Sequence, residues 1–254
     1  MFDAQSLARA VQTQLDALSA QGAMSLKARK ATRMDAKRIG LVAAQAFGDN
    51  AAFCHILRDE RSQRILRLQR LFTLMYSTLS DAAVIVEDPS SDAIVGGFLL
   101  PAPRFTPSCG RVVCSLPDVF RLLVWTFGAR ACARARDYFG ACANLQKALA
   151  EEFVKGQSLK ADLDAVFVSP SLQGQGIGSA MVKGALEEAS KFVSITFFTE
   201  TKQNQRFYEK IGCKTIQNGL PCGVEAYSMV RYQSSISREG GTRGGTTNRT
   251  LTSE

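Results

Sequence analysis

Histidine and tryptophan are almost missing from this chain: one of each stands among 254 residues. Seven cysteines form no C-x-x-C pair, which excludes zinc-ribbon spacing. Their odd number, without a framework, fits reduced thiols in a cytosolic protein. No Cys-His-Asp pattern supports covalent catalysis. Long apolar runs are absent too. The most apolar window, 119–127, is too short to span a bilayer and contains Arg121. Met1–Gln21 carries Asp3 and Asp16 and lacks a continuous apolar core, so no signal peptide is expected, and its acids argue against a mitochondrial presequence. These absences lead to an expectation of a cytoplasmic protein with no membrane partner and no metal.

Charge is what the chain has in excess. The net charge is +8, and Arg111, Arg121, Arg130, Arg134 and Arg136 face a single acid, Asp118, over the same span. No nucleic-acid fold signature accompanies them, so the cluster reads as the solvated face of a helix, and no nucleic-acid partner is expected. Apolar content of 46% and the length allow one good-sized domain with a buried core.

The chain divides by pattern. Gln5–Leu18 spaces Leu7, Ala8, Val11, Leu15 and Leu18 as an amphipathic helix, in an N-terminal extension over 1–24. Leu26–Ala31 reads as a strand, and Thr32-Arg33-Met34-Asp35 as a capping box opening a helix through Phe47. A second helix follows over Arg61–Leu79. Ala83–Glu87 and Ala93–Leu100 form a hairpin across turn-forming Asp88–Asp92. Arg104–Lys155 is helical in character, with a break near Gly128. Alternation then puts Leu163, Ala165 and Phe167 on one face of a strand and Asp162, Asp164, Val166 and Val168 on the other. Val193–Phe198 and Val224–Val230 are further strands. From 234 to 254 the composition turns to Ser, Thr, Gly and Arg and is expected to be disordered. The sequon at Asn248 there carries no meaning in a cytosolic chain.

The most informative stretch is V-F-V-S-P-S-L-Q-G-Q-G-I-G-S, Val166–Ser179. A β-branched run stops at Ser169-Pro170, a loop of small residues follows, and a helix begins. This is how a backbone presents free N–H groups to an anion, with the helix dipole adding positive potential. The loop reads as a pyrophosphate cradle. A dinucleotide fingerprint fails because its third glycine position is Ser179, and a Walker loop fails because no lysine follows the glycines. The pattern that fits is Q-x-x-G-x-G at Gln173, Gly176 and Gly178. With V-x-V-x-P before it, this resembles the coenzyme A loop of the GNAT superfamily of N-acetyltransferases.

A second motif follows thirty-one residues after Gln173: Asn204-Gln205-Arg206-Phe207-Tyr208-Glu209-Lys210-Ile211-Gly212-Cys213. It resembles the superfamily's closing motif, with Cys213 where Phe is usual. Ala46–Leu79 and the C-terminal motifs look most like the branch containing puromycin N-acetyltransferase. The resemblance implies an α/β fold over 25–233: a single domain with a central mixed, mostly antiparallel sheet flanked by helices, and a helical insertion before the cofactor-binding strand. It also implies an acetyl-CoA-dependent N-acetyltransferase acting on a primary amine of a small molecule, by direct transfer in a ternary complex. A non-catalytic coenzyme A-binding regulatory protein is the alternative.

The resemblance further implies roles for residues. Main-chain groups of Val166 and Val168 hold the pantetheine arm, and the amides of Gln173, Gly174, Gln175, Gly176, Ile177, Gly178 and Ser179 hold the diphosphate. Tyr208 matches the acid that protonates the departing thiolate, and a phenol, with pKa about 10, suits that task. Of the two neighbouring aromatics, Phe207 is the expected core residue. Asn204 matches a contact to the cofactor arm, with helix capping as a compatible reading. The base stays open among three readings. Asp162 lies eleven residues before Gln173, where histone-type members carry a catalytic Glu. His55 falls where the superfamily borders its acceptor pocket. Water is the third.

Overall fold

A computed structural model describes residues 1–103, 105, 120, 122–145 and 159–234. Arg111, Asp118 and Arg121 of the basic cluster, Cys109 and Cys114, both ends of the helical insertion and all but the first residue of the C-terminal tail lie outside the described residues.

The chain opens with helix α1 (Ala4–Ser19), started by a capping box between Asp3 and Ser6. Strand β1 (Lys27–Lys30) follows, then α2 (Ala36–Ala46), α3 (Ala51–Leu57) and α4 (Arg61–Leu79). The hairpin is β2 (Ala83–Asp88) and β3 (Ala93–Leu99), with Asp88 accepting from Ser90 and Ser91 in its turn. A π-helical turn at Leu122–Phe127 passes into α5 (Gly128–Leu145) at Gly128, whose φ of 73° marks the expected break. Then come β4 (Lys160–Asp162), β5 (Asp164–Val168), α6 (Ile177–Ala189), β6 (Ser194–Thr199), α7 (Lys202–Lys210), β7 (Lys214–Gly219) and β8 (Ala226–Arg231).

The strands form two four-stranded arrays, β1-β2-β3-β5 and β4-β6-β8-β7. Among the described residues only β4 with β6 is parallel; the other pairs are antiparallel. Helices cover both faces, which is why β2 is apolar over its first four residues: Val84 and Val86 enter one core, Ala83 and Ile85 the other. The first core lies under α1 and α6 and takes in Tyr208 of α7; the second lies under α2, α3, α4 and α5.

The capping box before α2 is present, and it does more than start a helix. Asp35 accepts from Thr32 N–H and Oγ1 at 2.8 and 2.7 Å and binds the Arg29 guanidinium through both oxygens at 2.8 Å. Arg29 also reaches Glu87 at 2.8 Å, so the pair fastens β1 to β2 and to the helix start. The Arg29 charge holds the Asp35 carboxyl far below the usual carboxylate range.

Helix α1 is built into the domain. Leu7, Val11 and Leu15 are fully buried, each worth up to about 2 kcal/mol of apolar burial. Gln12 pairs with the backbone of Leu26 and Ala28 at 3.1 and 2.7 Å. Gly184 of α6 permits the approach, since a Cβ there would stand 2.8 Å from Ala10 O and Val11 Cα.

One expected alternation breaks. Leu163 packs in the first core and Phe167 in the second, so they do not share a face. The reason is Ala165, whose φ of 49° and the accompanying register shift against β3 insert a bulge. Such a conformation costs a β-carbon-bearing residue on the order of 1–3 kcal/mol. Tyr76, fully buried in α4, supports it by donating from Oη to Ala165 O at 3.2 Å.

Candidate active site

The cleft arises where a continuous chain changes partner. β4 pairs with β6 through Asp162 and Thr196, and Leu163 N–H still bonds Thr196 O at 2.9 Å. After Leu163 the strand swings away, and β5 pairs with β3 alone. The two arms, β5 and β6, diverge and leave an open slit. In an antiparallel ladder hydrogen-bonded residues alternate. Ser169 N–H bonds Val95 O at 2.7 Å, and Phe167 is two residues back. The main-chain groups of Val166 and Val168 therefore face the slit. Gln173 Nε2, donating to Val168 O at 3.1 Å, reaches in from that side.

The arm ends in a 3-10 turn at Pro170–Leu172 and the glycine loop. Gly174 and Gly176 have φ of 81° and 82°, and Gly176 is the N-cap of α6. Neither position suits a side chain-bearing residue. Ala180 N–H makes the first helical bond, to Gly176 O, leaving the N–H groups of Ile177, Gly178 and Ser179 without helical partners. Ile177 buries its side chain in the first core while Gln175 and Ser179 stay exposed, so the loop offers backbone rather than side chains. The end of α1 backs the loop: Leu18 Cδ1 would lie 3.2 Å from a Cβ at Gly176.

Tyr208 stands on the same face as α6. Its ring is 4.4 Å from that of Phe197 on β6 and 5.0 Å from Phe207. Of the two, Tyr208 is the buried one and Phe207 the half-buried one, the reverse of the expectation, because 208 is the position at which α7 meets the sheet. Burial pushes the phenol well above its usual range, with smaller contributions from Cys213 and Glu200. Its hydroxyl has no hydrogen-bond partner among the described residues. Thr201 caps α7 by accepting from Asn204 N–H at 3.1 Å, so Asn204 is not the cap; its exposed side chain lies one turn before Tyr208 on the same helix face.

The base candidates separate. Asp162 sits below the divergence, accepts from Thr196 Oγ1 and lies 3.9 Å from Lys160 Nζ. His55, half-buried on α3, is on the opposite face from the cradle, its ring 6.4 Å from that of Tyr138. Two carboxylates that the motifs did not single out share that opposite face. Asp164 opens β5; it is reached by solvent yet hemmed in by protein, and desolvation followed by the like charge of Asp162 pushes it up to about 6. Glu200 follows β6 directly, and burial pushes its carboxyl up although Asn50 donates to it at 3.2 Å. The signal for Glu200 was in the sequence: alternation carried past Thr199 puts it on the face of Phe198.

Part of the basic cluster is also explained. Arg134 Nε donates to Ile56 O at 2.7 Å and its Nη2 to Leu57 O at 3.4 Å, so it closes the C-terminus of α3 rather than facing solvent. Arg130 and Arg136 are exposed as expected. Among the described residues no disulfide joins the five cysteines. Among the described residues no group of three or more His, Cys, Asp or Glu is placed to hold a metal ion, and no helix is long and apolar enough to cross a membrane.

A divergent strand pair, a glycine cradle at a helix start and a buried tyrosine on the next helix together define a class of fold. Residues 133–214 match the sequence profile of the Acetyltransferase (GNAT) domain. Among solved structures, the chain is similar to a histone acetyltransferase HPA2 and related acetyltransferase from Corynebacterium glutamicum, with 18% identity, a TM-score of 0.56, and coverage of 83% of this chain and 98% of that one. It is also similar to a mosquito arylalkylamine N-acetyltransferase-like 5b, with 11% identity, a TM-score of 0.52, and coverage of 82% and 99%. An agmatine N-acetyltransferase matches at 9% identity with a TM-score of 0.52, covering 81% and 98%. The chain carries the GNAT acetyltransferase fold.

Proposed function

We propose that this chain is an acetyl-CoA-dependent N-acetyltransferase that acylates a primary amine of a small molecule by direct transfer in a ternary complex. The observation that carries the reading is the edge of β5 that no strand covers among the described residues, which runs straight into the glycine loop at the start of α6. That edge offers the N–H and C=O of Val166 and Val168 to an amide-bearing arm. The loop amides from Gln173 to Ser179 then meet a diphosphate, and the positive φ at Gly174 and Gly176 keeps side chains out of its space. The thioester, once bound, supplies an activated acetyl carbon.

The chain's own groups do the rest. A main-chain N–H of the β5 edge serves as donor to the thioester oxygen; one such donor is worth roughly two orders of magnitude in rate. Tyr208, which its apolar surroundings keep protonated, gives its proton to the departing sulfur. Asn204 lies where it meets the cofactor arm. Asp162 and His55 remain the sequence-based candidates for the base, and Asp164 and Glu200 join them on geometry. Two of the solved neighbours are named for small amine acceptors, arylalkylamine and agmatine, which supports the small-amine reading, and one is named for histone. Five cysteines that form no disulfide fit a reducing compartment, and the cytoplasm is the proposed location.

The test is release of free thiol from acetyl-CoA with a panel of primary amines, paired with calorimetry on acetyl-CoA alone. Turnover with at least one amine is expected. Binding without turnover on any amine would favour the regulatory alternative, and no binding would end both.

A further inference from the structure

The acceptor face holds a carboxylate that meets no counter-charge among the described residues. Buried or half-buried carboxylates are normally paired with a cation. Glu200 makes no ion pair with Lys or Arg among the described residues, and Asn50 is its only side-chain donor there. That amide is fixed at both ends, since Asn50 Oδ1 accepts Phe53 N–H at 3.2 Å as the cap of α3. Asn50 therefore orients Glu200 without neutralising it.

The second observation is independent. Tyr138 of α5 is 2% exposed, and among the described residues its hydroxyl finds no oxygen or nitrogen partner, only the thiol of Cys142 one turn on, a weak partner. A buried hydroxyl so poorly met costs stability, so its retention calls for a reason. The Tyr138 ring is 6.4 Å from that of His55 on α3, the helix whose cap Asn50 holds Glu200, and burial, with the Glu200 charge as a smaller cause, raises the phenol's ionisation well above the usual range. The wall is held in place by Arg134, which ties α5 to the end of α3. The other groups around this site among the described residues are Cys142 of α5, Cys222 of the turn before β8, Tyr208 across the slit and His55, whose ring is 6.4 Å from that of Tyr138; none of them is a Lys or Arg. A carboxylate short of a cation beside a hydroxyl short of a donor or acceptor matches one ligand group well. An alkylammonium has three N–H donors and a positive charge, and a neighbouring polar atom of the same molecule meets the phenol.

We propose that Glu200, Asn50 and Tyr138 form the acceptor subsite, that it takes the protonated primary amine of a cationic small molecule, and that Glu200 receives the amine's proton. This rests on the acetyltransferase reading of the same cleft. An ammonium N–H bond breaks and its proton passes to a Glu200 oxygen, leaving the nitrogen lone pair free. The C–N bond forms at the acetyl carbon as the C–S bond breaks, and the sulfur takes the Tyr208 proton. The second nitrogen proton returns to the tyrosinate, and the Glu200 proton leaves to water.

The experiment compares an alkylamine, cationic at neutral pH, with an arylamine of similar size that is neutral there. In Glu200→Gln, kcat/KM for the alkylamine should fall roughly 100-fold, with a raised KM, while the arylamine changes by less than about 3-fold. Acetyl-CoA affinity by calorimetry should be unchanged. Tyr138→Phe should raise the amine KM roughly 5-fold without lowering Tm, since it deletes a hydroxyl with only a weak thiol partner and keeps the ring. Equal losses on both amines in Glu200→Gln, or an amine KM unmoved in Tyr138→Phe, would overturn the subsite while wild-type turnover left the acetyltransferase reading intact. A wild-type protein that neither bound acetyl-CoA nor released thiol would take both down.

Discussion

Replacing Tyr208 by Phe isolates one proton. The ring packs against Phe197 and Phe207 at 4.4 and 5.0 Å, and those contacts survive the change. The hydroxyl holds no partner among the described residues, so its loss leaves no orphaned donor or acceptor in the fold, and Tm should move by less than about 2 °C. Acetyl-CoA affinity should likewise stand, because the cradle and the β5 edge are main chain. Turnover is another matter. A positioned general acid contributes roughly 10²–10⁴-fold, so kcat should fall at least 100-fold, or about 2.7 kcal/mol of barrier. The phenol's raised pKa sharpens the claim: Tyr208 remains the protonated donor past the usual pKa of a tyrosine, so any alkaline loss of rate in the wild type below about pH 10 belongs to another group. The assay is steady-state thiol release, with calorimetry and thermal melts on the same preparations. Unchanged kcat at intact affinity would remove Tyr208 from the chemistry and leave it a core residue.

Three further outcomes follow from the geometry. Gly176→Asp should abolish acetyl-CoA binding by calorimetry, since it sets a like charge in the diphosphate space on a backbone with φ of 82°; retained affinity would contradict the cradle. Gly184→Val should push α1 off α6 and lower Tm by roughly 5 °C, an overpacking cost of about 1–3 kcal/mol; an unchanged melt would mean α1 is not held by that contact. Asp164 has a folded pKa raised to about 6 from 3.8, so its ionised form is the disfavoured one. Its penalty is absent below about pH 4 and complete above about pH 6, and Asp164→Asn should raise Tm more at pH 7 than at pH 4, modestly given its exposure. A gain that is equal at both pH values would rule out ionisation as the cause.

Much of this was written in local pattern. The Arg61–Leu79 helix, the hairpin about Asp88 and the strand-glycine-helix unit at Val166–Ser179 follow from short-range periodicity and turn chemistry, and the structure has each of them. What escaped depends on tertiary context. Strand β7, K-T-I-Q-N-G, has no alternation because it is a half-exposed edge that only β8 holds. Helix α3 is seven residues long, below the length at which a 3.6-residue period declares itself, and exists through its Asn50 cap and Arg134 closure. The bulge at Ala165 carries no glycine to announce it; Tyr76, eighty-nine residues away in sequence, makes it tolerable. For the same reason the motifs drew attention to Asp162, while the divergence past Leu163 directs Asp164 and Glu200 toward the acceptor side.

The parting of β5 from β6 makes the sheet a partition with a gap in it. The cradle lies on one side with α6, and Glu200, Asn50 and Tyr138 lie on the other with α3 and α5. On the proposed function, carrier and amine then have separate doors, one on each side. Under that proposal the scaffold imposes no sequence of arrival, and an acylated amine can depart while the spent carrier is still seated.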